Sequence, residues 1–189
     1  MSRLPRAFFA RAAEEVAPAL LGAVLVCAGE GGLRRGRVVE TEAYVGAHDL
    51  ACHAAKGRTR RTEVMFGPAG HLYVYLIYGM YDLLNVVTGP TGDAQAVLVR
   101  ALEPVTGIAG RTDGPGRLSR ALGVTRGHNG LDLCAPASPL WLEAGPRPER
   151  LGVGPRVGID YAGAWREAPL RFYDAASAFV SRPPRSRAG

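Results

Sequence analysis

Lysine is nearly absent from this 189-residue chain: of 23 Lys plus Arg, Lys56 is the single lysine and the other 22 are arginine. Chemistry that needs an amine, a Schiff base above all, is thereby confined to Lys56 or the chain's N-terminus. Cysteine is also scarce. Cys27, Cys52 and Cys134 are an odd, scattered set, which reads as reduced thiols in a cytosolic protein and not as a disulfide framework. No apolar run reaches the length of a transmembrane helix. Val16 to Ala28 is apolar and follows Arg3, Arg6 and Arg11, but Glu14, Glu15, Pro18 and Gly22 spoil it as a secretory leader. Metal ligands do not assemble either. A helix from Asp49 to Ala55 would set His48 and Cys52 one turn apart beside His53, yet Cys27, His71, His128 and Cys134 are too dispersed to complete four ligands.

What is present fits one globular domain, with 47% hydrophobic and 21% charged residues. The net charge of +6 and pI near 9.6 favour an anionic partner, either nucleic acid or a membrane surface. Arginine forks onto phosphate and stacks on bases, which suits nucleic acid, although a GC-rich genome produces the same bias.

Hydrophobic periodicity and turn residues predict a helix over Phe8–Leu21, with Pro18 near a second helix start and Gly22 as a stop. A buried strand at 23–27 and its antiparallel partner at 33–44 follow, joined through the glycines at 29–32. Residues 45–62 read as irregular, with Asp49 able to cap a short helix. A strand to Tyr78 turns at Gly79-Met80 and returns over 81–88. After the Gly89–Asp93 turn comes a strand at 95–101, then a helix at 116–122 ended by Gly123. Short strands are expected at 139–143, 156–159 and 170–173. The expected fold is α+β: one domain over residues 1–180 around a curved antiparallel sheet with peripheral helices, followed by a basic, flexible tail at 181–189.

Two stretches carry the chemistry. His71 to Tyr81 holds four tyrosines, and strand alternation puts Tyr73 and Tyr75 on one face while Tyr78 sits at the Gly79 turn. Tyr73 and Tyr81 read as core, whereas an aromatic at a hairpin tip is a device for prying bases apart. Glu40, Glu42 and Tyr44 share strand parity. Their carboxylates are either surface charges or, flanked by Val38, Val39 and Ala43, a pocket-wall general base. Arg100 closes the apolar run 96–99 and is expected to be buried against an acid or a phosphate. Arg58, Arg60 and Arg61 form a basic loop suited to phosphates, or simply a solvated charge run.

Glu40-Thr41-Glu42-Ala43-Tyr44, then His53, then Leu72–Tyr81 with Asn85, then Val97–Pro104, resemble in order the alkyladenine, or 3-methyladenine, DNA glycosylase family. Phe8-Phe9, Leu20-Leu21-Gly22, Arg156–Tyr161, Trp165 and Leu170–Tyr173 extend the resemblance over nearly the whole chain. It implies a fold like the formyltransferase C-terminal domain, with a β-hairpin protruding toward DNA. It also implies a glycosylase that flips a damaged purine (3-methyladenine, 7-methylguanine, hypoxanthine or ethenoadenine) from double-stranded DNA and leaves an abasic site. The near-absence of lysine fits direct water attack, so the expectation is a monofunctional enzyme without lyase activity. By the same resemblance Glu42 activates the attacking water, and Arg100 helps hold that water and the flipped nucleotide's phosphate. Tyr44, His53, Tyr75 and Asn85 line the base pocket, Asn85 disfavouring normal guanine. Tyr78 fills the gap in the duplex, supported by Met80, and a backbone carbonyl among Val157, Gly158 and Ile159 touches the water. No metal or cofactor is implied, and the expectation is a monomeric, cytoplasmic, nucleoid-associated bacterial-type protein. A non-catalytic binder of distorted DNA and a tRNA-binding module are the competing readings, and neither calls for Glu42, Tyr44, His53 and Arg100 together.

Overall fold

The computed structural model describes residues 2–29 and 31–182. Helices α1 (Arg6–Phe9) and α2 (Ala13–Ala19) open the chain. Strands β1 (Val24–Gly29), β2 (Gly32–Tyr44), β3 (Leu72–Ile77), β4 (Tyr81–Thr88) and β5 (Gln95–Thr106) follow. Helix α3 (Pro115–Leu122) precedes β6 (Leu140–Glu143), β7 (Leu151–Gly154) and β8 (Arg171–Asp174). All strand pairs are antiparallel, in the order β3-β4-β5-β2-β1-β6, and the sheet curls into a half-barrel. The 13-residue β2 is its axis. One edge pairs with β5, while the other is divided between β1, against residues 32–37, and β8, against Glu40–Glu42.

The predicted N-terminal helical stretch breaks after Phe9 and not near Pro18, because tertiary bonds claim the backbone between α1 and α2. The Gly89 amide donates to the carbonyls of Phe9 and Arg11, and Gln95 Oε1 takes the Ala13 amide at 2.8 Å. Pro18 lies inside α2, one residue before its end, and does not start a second helix. Ala13, Val16 and Ala17 are buried, and Thr41 Oγ1 donates to the Ala17 carbonyl at 2.8 Å, binding the helix to the middle of β2. α3 forms where expected, with Pro115 in its first turn and Gly123 at φ +69° ending it in the left-handed conformation that glycine allows. The strand expected at 156–159 lies instead at Leu151–Gly154, leaving 155–159 as a loop that Arg156 ties into the interior.

Two bulges at one level of the sheet decide which side chains face which way. Opposite β5, Val38 pairs with Leu102 and Glu40 with Ala101, so Val39 is an extra residue on β2. Thr41 then pairs with Val99, so Arg100 is an extra residue on β5. Each insertion flips the period-2 alternation. Val38 and Leu102 therefore belong to the main core under α2 and α3, while Glu40 and Arg100, of the same parity, turn to the opposite face. β5 also runs past its predicted end at Ala101 to Thr106, with Pro104 opposite Gly36 beside a third irregularity, where a missing amide is tolerated.

Candidate active site

On the face away from α2, a cavity of about 560 Å³ opens between β3, β4, β5 and the 157–161 loop. That lies within the roughly 300–1,000 Å³ typical of ligand pockets. Its walls include Tyr44, His53, Tyr75, Tyr78, Asn85, Arg100, Val157, Gly158 and Ile159. The structure thus brings most of the predicted site residues together from segments more than 100 residues apart. Glu42 lies just behind the wall, fully buried. Its Oε1 accepts the Val157 amide at 2.7 Å and faces Arg100 at 3.2 Å, while its Oε2 accepts the Tyr44 hydroxyl at 3.0 Å.

Arg100 lies between two carboxylates. Its Nε donates to Glu40 Oε1 at 3.1 Å, and a terminal nitrogen faces Glu42. Burial opposes the guanidinium charge, but Glu42 and Glu40 outweigh it and raise its pKa. Glu40, also fully buried, takes a second arginine, Arg171, at 3.1 Å and the Ser181 amide at 2.6 Å. A second buried pair lies on the other side of Glu42. Arg156 forks onto Asp49 at 2.5 and 2.8 Å, donates to the Ala43 carbonyl at 2.9 Å, and stacks 4.8 Å from the Tyr44 ring centre. The residue after Arg156 is the one whose amide holds Glu42. Burial, with Glu42 close by, pushes the Tyr44 phenol well up, so its hydroxyl stays protonated and remains a donor.

The aromatic wall is built around His53. Its ring meets Tyr75 edge-on at 4.5 Å, and its Nδ1 lies 2.8 Å from the Tyr73 hydroxyl. Burial, aided by Arg61 and Lys56, lowers the imidazole to about 4, so His53 is neutral near pH 7. Asn85 is buried, its side-chain nitrogen donating to the Tyr73 carbonyl at 3.1 Å. Tyr73, expected to be plain core, is buried but also lines the cavity and bonds His53. Tyr81, the other expected core tyrosine, is only half-buried and lines the cavity against Gly116.

Tyr78 stands at the hairpin tip, 82% exposed and at φ +53°, a left-handed conformation that costs a non-glycine residue about 1–2 kcal/mol. Met80, 61% exposed, is beside it but not on the cavity wall. The basic loop lies outside the cavity. Arg58 pairs with Glu63 in solvent, while Arg60 and Arg61 line a separate shallow groove with Arg126 and Asn129, behind Tyr75. The helix expected over 49–55 does not form, because Asp49 turns inward to Arg156; a short 3-10 turn at His53–Lys56 replaces it, and His48 packs on Trp165 instead. Among the described residues no group of three or more His, Cys, Asp or Glu could hold a metal ion, and no helix is long and apolar enough to cross a membrane.

The sequence reading missed Asp49, Arg156, Arg171, Ser181 and Tyr161. Arg156 and Arg171 carried a signal, each an arginine at the start of a short expected strand, as Arg100 closes one. Tyr161 is 71% exposed at the cavity rim. Ser181 and Arg182, assigned by the sequence to the tail, are bonded into the site, whereas 183–189 lie outside the described residues.

Comparison with known proteins converges on one group. The family model described as methylpurine-DNA glycosylase (MPG) matches residues 7–178. A Myxococcus xanthus protein named "Putative 3-methyladenine DNA glycosylase" is 60% identical over 97% of this chain and 96% of its own length. Proteins of the same name from Anaeromyxobacter dehalogenans (53% identical, 96% of this chain, 87% of theirs) and Legionella pneumophila (48% identical, 96% of this chain, 100% of theirs) are also similar.

Proposed function

The chain belongs to the methylpurine-DNA glycosylase family of DNA repair, and from that premise we propose that it excises damaged purines by direct hydrolysis, with Glu42 as general base. A base stacked in a duplex is out of reach, so the nucleotide is rotated outward, most cheaply where it is damaged or mispaired. The flipped base enters between Tyr44 and the His53–Tyr75 wall. There a purine methylated on a ring nitrogen, which carries positive charge, gains about 0.5–2 kcal/mol from the tyrosine faces. Neutral lesions such as hypoxanthine lack that gain and depend on the fit around Asn85. Tyr78 occupies the space the base leaves, with Met80 supporting it, and the arginines at 58, 60 and 61 hold phosphates along the duplex.

The observation that carries the reading is the setting of Glu42. The Val157 amide and the Tyr44 hydroxyl take two of the roughly four lone-pair directions of its carboxylate, and the Arg100 guanidinium faces Oε1 as an ion pair at 3.2 Å. A remaining direction takes the water. Glu42 removes that water's proton while its oxygen bonds to C1′; the C1′–N bond breaks and its electron pair leaves with the base. In a methylated purine that pair neutralises the ring cation. Arg100 and a backbone carbonyl of the 157–159 loop orient the water. Since water is the nucleophile, no protein–DNA adduct forms and the product is an abasic site.

Free base released from duplexes carrying 3-methyladenine, 7-methylguanine, hypoxanthine or ethenoadenine tests the activity. Glu42→Gln should bind lesion duplex as the parent does but lose about 10²–10⁴ in excision rate. Normal excision by that variant removes Glu42 from its role. A borohydride-trapped covalent adduct removes the hydrolytic mechanism.

A further inference from the structure

We propose that the segment Val180–Arg182 is a strap that completes the active site, with Ser181 as a positioning residue for Arg100. This rests on the hydrolytic reading above. The segment lies beyond residue 178, where the family match ends, and yet it lines the cavity. Val180 is buried, and three polar groups after it engage the charged cluster. The Ser181 amide donates to Glu40 Oε2 at 2.6 Å, the Ser181 hydroxyl lies 3.2 Å from a terminal nitrogen of Arg100, and the Arg182 carbonyl accepts from Arg171 at 2.8 Å.

The geometry explains why Arg100 needs this strap. A guanidinium has five donors in a fixed plane, so its direction is set by what occupies each edge. Nε is held by Glu40 and one terminal nitrogen faces Glu42. The Ser181 hydroxyl meets the other terminal nitrogen and fixes the plane. Glu40 is fixed in turn by Arg171 from β8 and by the Ser181 amide, a neutral donor that holds the carboxylate without adding a cation to compete with Arg100. Without Ser181, Glu40 loses its shortest hydrogen bond, the one on Oε2, and Arg100 can rotate away from Glu42. A misplacement on the order of 1 Å at a reacting site costs up to roughly a hundredfold in rate. The strap's hydrogen bonds go to Arg100, Glu40 and Arg171 and not to Tyr44, His53, Tyr75 or Asn85, so it acts on the chemical step and not on base binding.

The test uses the full-length protein and duplex DNA methylated with dimethyl sulfate. It compares parent, Ser181→Ala, which removes the hydroxyl, Ser181→Pro, which also removes the amide donor, and Ser181→Thr, which restores both groups. Single-turnover release of methylpurine per folded molecule should fall roughly tenfold in Ser181→Ala and further in Ser181→Pro, with affinity for the methylated duplex within about twofold of the parent. Ser181→Thr should recover most of the rate lost in Ser181→Ala. Rates within about twofold of the parent in both Ala and Pro variants overturn the strap while leaving the activity intact. A loss that Thr does not recover, or that binding loss or unfolding matches, overturns it equally. A parent that releases no base refutes the hydrolytic reading, and the strap's catalytic role with it.

Discussion

Replacing Arg156 by methionine takes a cation from a place with no solvent access: both side chains of the Asp49–Arg156 pair are 0% exposed. Asp49 would keep the Val45 amide at 3.3 Å and the Ala51 amide at 3.0 Å but lose the guanidinium fork at 2.5 and 2.8 Å. Leaving a buried charge without its partner costs about 3–5 kcal/mol. That is a fifth or more of a typical domain stability of about 5–15 kcal/mol. At about 2–4 °C per kcal/mol for a chain of this size, Tm should fall by roughly 6–20 °C. The double variant Asp49→Leu, Arg156→Met removes both charges together, and apolar replacement of a buried pair is often neutral, so most of the stability should return. Excision should not return with it. Arg156 also places the Val157 amide on Glu42 and stacks on Tyr44, and neither leucine nor methionine replaces those contacts. Urea melts give the stability, and single-turnover excision, corrected for the folded fraction, gives the rate. The reasoning is refuted if Arg156→Met costs less than about 1 kcal/mol, or if the double variant excises at the parent rate.

Tyr78→Gly should leave stability within about 1 kcal/mol, since relief of the left-handed strain offsets the entropy glycine adds to the unfolded chain. Its affinity for lesion duplex should nevertheless weaken; a large stability loss with unchanged binding would make Tyr78 a packing residue. His53 gives a pH dependence whose sign follows from its lowered pKa. The folded ring resists protonation down to about 4 while the unfolded one protonates near 6.5, so stability is complete above pH 6.5 and lost as pH falls toward 4. The slope is at most about 1.4 kcal/mol per pH unit, and less because the ring is partly exposed. His53→Gln should flatten melts measured between those pH values, and an unchanged slope would assign the dependence to other groups.

Much of the sheet was legible locally. The runs at 23–27, 33–44 and 81–88 alternate or stay apolar over strand lengths and end at glycines, and α3 is bracketed by Pro115 and Gly123. The N-terminal helix was misread because its break is made by Gly89 and Gln95, more than 75 residues away, whose bonds leave no mark on local periodicity. For the same reason Asp49 looked like a helix cap when it is the buried partner of an arginine 107 residues on.

By itself, the sequence determined the family, the residue types at the site and the near-absence of amines, because these are properties of residues in order. The shared direction of Glu40 and Glu42 was legible in strand parity, but that they and Arg100 face away from Val38 and Leu102 was decided only in three dimensions. Strand parity predicts Val38 alongside Glu40 and Leu102 alongside Arg100, and two facing bulges reverse that, sending the apolar pair to the core and the charged pair to the opposite face, where Arg100 reaches the cavity. A bulge is a property of how two strands pair, so it does not exist until both are folded together. The same holds for Arg156 and Ser181, whose roles come from the carboxylates that folding sets beside them.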